Sequence, residues 1–204
     1  MSERDDSSNA EQEGLSRPYI LNLPLEIIVS IVKLVDQSDW MNLAMVNTQF
    51  RAAVILCLRP LTNVTLSQFL KPTSGFEAEN HVIFILQALI SVKFLIVPAS
   101  ILPAIRSQVA RCLSRLKRLK SLNISGCVIR EAVLCKLLHC LPQLEELSLR
   151  GAYIPTSLTD YDQSTLLFML QLDVYECYTG RDALGILISK LPELMELGIQ
   201  FQLP

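Results

Sequence analysis

LPLEIIVSIVKLVDQSDWMNLAMVNTQFRAAV, residues 23–54, packs three short helix signals into one continuous segment. Pro24 suits the first turn of a helix, because the N–H it lacks would find no intrahelical partner there. Glu26 complements the positive end of that helix, and Ile27, Ile28, Ile31, Leu34 and Val35 recur at helical spacing to make one apolar face. Ser38 and Asp39 can cap a second helix that presents Trp40, Leu43 and Ala44. Asn47 or Thr48 can cap a third that presents Phe50, Ala53, Val54 and Cys57. Helices below about 12–15 residues are marginal in isolation, so this trio requires a partner or an attached domain.

Working outward toward the C-terminus, an LxxLxL pattern recurs in six copies. These are Leu61-Val64-Leu66, Val92-Leu95-Val97, Leu119-Leu122-Ile124, Leu144-Leu147-Leu149, Leu167-Leu170-Leu172 and Leu194-Leu197-Ile199. Their first positions are separated by 31, 27, 25, 23 and 27 residues, a period that indicates a stacked repeat array. Within each copy the last two apolar positions alternate with other residues, as a short strand with one buried face requires. Val133, Leu134, Leu137 and Leu138 then supply a helical apolar face, as do Ala183, Leu184, Leu187, Ile188 and Leu191. Pro142 and Pro192, in the matching contexts CLPQLEEL and KLPELMEL, mark helix-to-strand turns.

The ordered series Leu23-Pro24, Glu26-Ile27, Ile31, Leu34, Asp39, Leu43, Val46-Asn47 and Phe50-Arg51 resembles the F-box motif. The repeats, with Cys127 closing LKSLNISGC, resemble the leucine-rich repeats of F-box proteins. Residues 1–18, acidic and almost without large apolar residues, are expected to form a disordered tail, and the resemblance implies an α/β chain with a three-helix F-box at 19–58. Residues 59–204 would then be a leucine-rich-repeat solenoid of about six repeats, the last incomplete, with parallel strands on the concave face and helices on the convex face. It also implies a substrate-recognition subunit of an SCF-type cullin-RING ubiquitin ligase, with the F-box on the adaptor subunit and the repeats on a target protein. By resemblance, Leu23, Pro24, Ile27, Ile28, Ile31, Leu34, Leu43, Val46 and Phe50 face the adaptor or pack the trio. Two departures stand out: Trp40 where Leu is usual after the aspartate, and Thr48-Gln49 where many members carry basic residues. The alternative is a non-ligase repeat scaffold whose helical segment is only an N-terminal cap.

Alternation selects the side chains that leave the strands on the concave face. As candidates for target binding these include Phe94, Ile96, Ser121, Asn123, Glu146, Ser148, Arg150, Met169, Gln171 and Asp173. Phe94 and Ile96 are apolar on a face expected to meet water. They form a binding patch, or else the register of that strand is off by one residue, which would exchange its two faces.

The remaining composition narrows the chemistry. Of 204 residues half are hydrophobic, enough for a sizeable core, and 18 Lys plus Arg against 20 Asp plus Glu give a net charge of -2. Nucleic acid is not the expected partner. Arg111, Arg115, Lys117, Arg118 and Lys120 interleave with Leu113, Leu116 and Leu119, which reads as the solvated side of an apolar segment. Six cysteines without a CxxC pair, behind a polar and acidic N-terminal stretch, point to a reducing compartment, cytoplasmic or nuclear. The apolar run Val82 to Ile105 is interrupted by Gln87, Ser91 and Lys93 and broken by Pro98 and Pro103, so a helix followed by a strand is expected rather than a membrane span. No phosphate loop is present and only two histidines occur, so neither catalysis nor a cofactor is expected. Cys135 and His139 stand one helical turn apart with Cys127 nearby, but zinc would need a fourth ligand, and buried thiols on a repeat helix are the simpler reading.

Overall fold

Pro24 adopts an extended conformation and its carbonyl accepts from the N–H groups of Ile27 (3.0 Å) and Ile28 (3.2 Å), which starts α1, Leu25–Leu34. Glu26 lies in the first turn and Lys33 in the last, both matched to the helix dipole. A 3-10 turn, Gln37–Asp39, follows, and Asp36 Oδ1 accepts from Ser38 N at 2.9 Å to hold it. The helix α2, Trp40–Val46, starts directly from that turn without a side-chain cap, so the capping role expected of Ser38 and Asp39 falls to Asp36 one turn earlier. Asn47 alone separates α2 from α3, Thr48–Leu58, and its Oδ1 accepts from Phe50 N at 2.9 Å. One extended residue with a short polar side chain thus ends one helix and begins the next.

The computed structural model describes residues 19–71, 76–154, 171–176, 178–179 and 194–198. The tail expected at 1–18, the helical face expected at 183–191, and Leu167, Met169, Leu170 and Ile199 lie outside the described residues.

Beyond the trio the chain alternates strand and helix. The strands β1 (Asn63–Thr65), β2 (Phe94–Ile96), β4 (Ser121–Asn123), β6 (Glu146–Ser148), β8 (Gln171–Asp173) and β10 (Glu196–Gly198) form one six-stranded sheet in that order, all neighbours parallel. Parallel neighbours need crossover connections, and α4 (Phe76–Ala88), α5 (Ser107–Leu113) and α6 (Glu131–His139) supply them between β1 and β2, β2 and β4, and β4 and β6. The described fold is therefore mixed α/β, a helical N-terminal region followed by a parallel sheet.

Val64, Leu95, Leu122, Leu147, Leu172 and Leu197 occupy equivalent central positions in neighbouring strands. The first five are buried together with Leu66, Val97, Ile124, Leu149 and Val174. The last three intervals between central positions are each 25 residues. The fifth copy is thus carried by Leu172 and Val174, two residues after the expected Leu170 and Leu172. A slip of two preserves which side chains share a face, so Gln171 and Asp173 still point outward.

A second, four-stranded parallel sheet was not expected from sequence. It consists of β3 (Ala104–Ile105), β5 (Val128–Ile129), β7 (Tyr153–Ile154) and β9 (Tyr178–Thr179), with Ile105, Ile129 and Ile154 turned into the core. Sharp turns join the two sheets. Asn123 Oδ1 accepts from Ser125 N at 3.0 Å and Asp173 Oδ1 from Tyr175 N at 3.0 Å, while Gly126, Gly151 and Glu176 take left-handed backbone angles of φ 72°, 64° and 54°. Cys127 closes the first of these turns inside the core, its thiol donating toward the carbonyls of Leu102 (3.2 Å) and Val97 (3.5 Å).

One hydrophobic cluster runs without interruption from Ile28 to Val174. Trp40 of α2 packs on Phe69, which follows β1, and the guanidinium of Arg51 on α3 lies 5.0 Å from the ring centre of Phe84 on α4. The helical trio is therefore fused to the sheet region through shared side chains. The apolar run Val82 to Ile105 divides into the end of α4, β2 and β3, a helix followed by strand as expected. No helix among the described residues is long and apolar enough to cross a membrane.

Candidate functional site

Two surfaces carry the candidate residues. The first is the outer side of the helical trio. Ile28 on α1 and Phe50 on α3 are buried in the trio's own packing, with Val32, Met41, Ala44, Ala53 and Val54 around them in the same core. Neither can offer its side chain to an adaptor, so of the two roles held open for them, packing is the one the geometry allows. Leu23 and Leu43 are half-buried against the core and Ile31 is likewise half-buried. Pro24, Ile27, Leu34 and Val46 remain exposed, Leu34 at 88% and Val46 at 64%.

Met45, at 70% exposure, belongs with these residues and escaped the sequence reading. Its signal was available: in a helix facing the core with Met41 and Ala44, two consecutive large apolar residues at the C-terminal end cannot both turn inward. A trio of short helices with this much apolar surface left in water has the character of an interaction surface.

The second surface is the open face of the six-stranded sheet. In-register rows run across it. One passes through Asn63, Phe94, Ser121, Glu146, Gln171 and Glu196, the other through Thr65, Ile96, Asn123, Ser148, Asp173 and Gly198. Phe94 (44%) and Ile96 (41%) are exposed on either side of buried Leu95, which settles the register of β2: both apolar side chains do meet solvent. Ser121, Asn123, Glu146, Ser148 and Asp173 are half-buried, and Gln171 is exposed. Arg150 sits beyond the end of β6, where its guanidinium stacks 4.4 Å from the centre of the Tyr175 ring.

Hydrogen bonds order the middle of this face. Ser125 Oγ donates to Asn123 Oδ1 at 2.6 Å and contacts Ser148 Oγ at 3.1 Å, so adjacent strands are tied by side chains as well as by the backbone ladder. Lys120 and Glu145, just before β4 and β6, form an ion pair of 2.7 Å.

Cys57 and Cys127 lie in the core. Burial pushes the Cys127 thiol up to about 12 and that of Cys57 above its ordinary value, which keeps both protonated at neutral pH. Hydrogen bonding from the Ser38 backbone, then from its side chain, holds Asp36 below the ordinary carboxylate value, consistent with its capping role. Among the described residues no three His, Cys, Asp or Glu side chains are grouped to hold a metal ion. The basic stretch divides as its leucines suggest: Leu113, Leu116 and Leu119 are buried, Arg111, Arg115, Lys117 and Arg118 are exposed, and Lys117 donates to the Cys140 carbonyl at 2.7 Å.

With this geometry in hand, the trio can be assigned: residues 20–59 match the F-box domain family and form an F-box domain. F-box domains in general bind the adaptor subunit of SCF-type ubiquitin ligases and serve substrate recognition there. No curated protein matches the chain.

Proposed function

We propose that this chain is a substrate-recognition subunit of an SCF-type cullin-RING ubiquitin ligase, in which the F-box engages the adaptor and the sheet region, a leucine-rich-repeat array, engages a target protein. The observation that carries this reading is the division of the F-box into two sides. Ile28, Trp40 and Phe50 join the core shared with the sheet, while Ile27, Leu34, Met45 and Val46 are left in water. In-register parallel strands, the last three at 25-residue intervals, and the helices α4, α5 and α6 in the crossovers from β1 to β6 support the repeat assignment. On this reading the chain contributes no reactive group; it holds the target beside a charged conjugating enzyme, and the rate gain comes from proximity.

The test is capture of the full chain by purified adaptor subunit. Parent chain binding, with loss of binding in a folded Leu34→Glu, Val46→Glu variant, is the expected result. Absence of binding by the parent chain would overturn it. The Leu23→Ala, Pro24→Ala pair is a second test at the start of α1.

A second reading has its own observation. The packing of Trp40 on Phe69 and of Arg51 on Phe84 shows the trio covering the first strand-helix unit, as an N-terminal cap of a repeat scaffold would. Co-purification of cullin subunits with the chain separates the two.

A further inference from the structure

The open face of the six-stranded sheet is chemically polarised. Its apolar side chains, Phe94 and Ile96, both stand on β2. Its carboxylates stand on the far strands: Glu146 on β6, Asp173 on β8 and Glu196 on β10. Between them β4 presents only Ser121 and Asn123.

Among the described residues the carboxylates of the far half, Glu146, Asp173 and Glu196, form no ion pair. Asp173 accepts from a backbone N–H and Glu196 from the Gln171 amide at 2.8 Å, both neutral donors. Lys120 is neutralised by Glu145, and Arg150, stacked over Tyr175 beyond the end of β6, leaves the three carboxylates in excess of the one cation among the described residues on this half of the face. Lys93, exposed, precedes Phe94 at the opposite end. A ligand crossing the strands therefore passes from an apolar strand to strands that carry carboxylates.

Resting on the reading of this face as the target-binding surface, we propose that the target is recognised through an extended basic segment with one apolar anchor. The anchor seats on Phe94 and Ile96, and Lys or Arg residues lie over Glu146, Asp173 and Glu196. Charge complementarity fixes the chemistry, and the positions of the strands fix the spacing. Neighbouring strands lie ~4.8 Å apart and extended chain advances ~3.3 Å per residue, so the basic positions fall roughly three to six residues from the anchor. An acidic or phosphorylated segment would be repelled by the same carboxylates.

An oriented library of nine-residue peptides, with one fixed leucine and the other positions randomised, tests this against the full chain. Selection of Lys or Arg at roughly three to six residues from the leucine is expected. Selection of acidic residues there, or no charge preference, would overturn the proposal. A synthetic peptide of the selected sequence should lose roughly tenfold or more in affinity toward the Glu146→Gln, Asp173→Asn, Glu196→Gln variant, and its binding should weaken with salt. Asparagine at 173 retains the turn acceptor, as Asn123 does in its own turn, so the variant is expected to fold. An unchanged affinity in the folded variant would also overturn the proposal. Adaptor capture is measured on the same samples: peptide selection without adaptor binding removes only the ligase reading, and adaptor binding without peptide selection removes only this one.

Discussion

The rings of Trp40 and Phe69 meet at a centroid distance of 5.6 Å, inclined by 49°, and the Trp40 Nε1–H donates to the Val35 carbonyl at 3.2 Å. Trp40 belongs to the F-box and Phe69 to the first turn beyond β1, so a residue that departs from the usual F-box pattern becomes the joint between the two regions. Its ring, buried against Phe69, gains both area burial and an aromatic contact, while its one polar atom stays satisfied.

Replacing that joint should weaken both regions together. Trp40→Ala is expected to cost about 3–5 kcal/mol, as for other large aromatic truncations in a core, and to lower the stability of trio and sheet in one transition. Trp40→Leu, closer to the family pattern, should cost less. Urea unfolding followed in parallel by circular dichroism and hydrogen exchange checks this; a trio that melts separately while the sheet keeps its stability would contradict the shared core.

Exposure predicts a clean separation among the F-box residues. Leu34→Glu and Val46→Glu lie in water and should change stability by no more than about 0.5 kcal/mol while removing adaptor binding. Ile28→Ala empties a fully buried site and should cost about 2–5 kcal/mol. Thermal melts beside adaptor titrations give both quantities for each variant.

The three left-handed turn residues should respond differently to substitution. A Cβ on Gly126 would sit 3.2 Å from the Cβ of Ala99, whereas none would touch anything within 4 Å on Gly151. Gly151→Ala then bears only the backbone strain, about 1–2 kcal/mol, and Gly126→Ala more. Glu176, which bears that strain already at φ 54°, should gain stability when changed to glycine. Chemical denaturation of the three variants ranks them.

Cys127 sets an alkaline limit. Its protonated thiol is favoured in the folded state, with a value of about 12 against an ordinary 9.0, so its contribution is complete below pH 9 and is lost as pH rises toward 12. The folded state should lose about 2 kcal/mol from this group by pH 10.5. Cys127→Ser removes the titration in that range, so stability against pH for parent and variant should converge above pH 9. Parallel curves would contradict this account.

Much of this architecture was legible in the residues themselves. Leu122 with Ile124 and Leu147 with Leu149 alternate cleanly, so their burial and the outward placement of half-buried Asn123 and Ser148 followed from period two alone. In LLFMLQLDV, residues 166–174, leucines recur at too many positions to fix which pair is central, and the strand sits two residues later than expected. The second sheet was invisible because two-residue strands have no periodicity. The F-box candidates were found as a set, but their division into buried and exposed members was not, since an apolar residue on a short helix has the same sequence signal whether it faces its neighbours or a partner. Only the packing of α1 on α3 and of α2 on α3 separates Ile28 from Ile27.

The uninterrupted core from Ile28 to Val174 also makes the chain a ruler. With trio and sheet sharing one core, the strands step away from the F-box at ~4.8 Å intervals, so that β10 lies roughly 19 Å beyond β2. A target seated on this face would be presented at a set distance and heading, and which of its lysines can be reached would depend on where along the scale it binds.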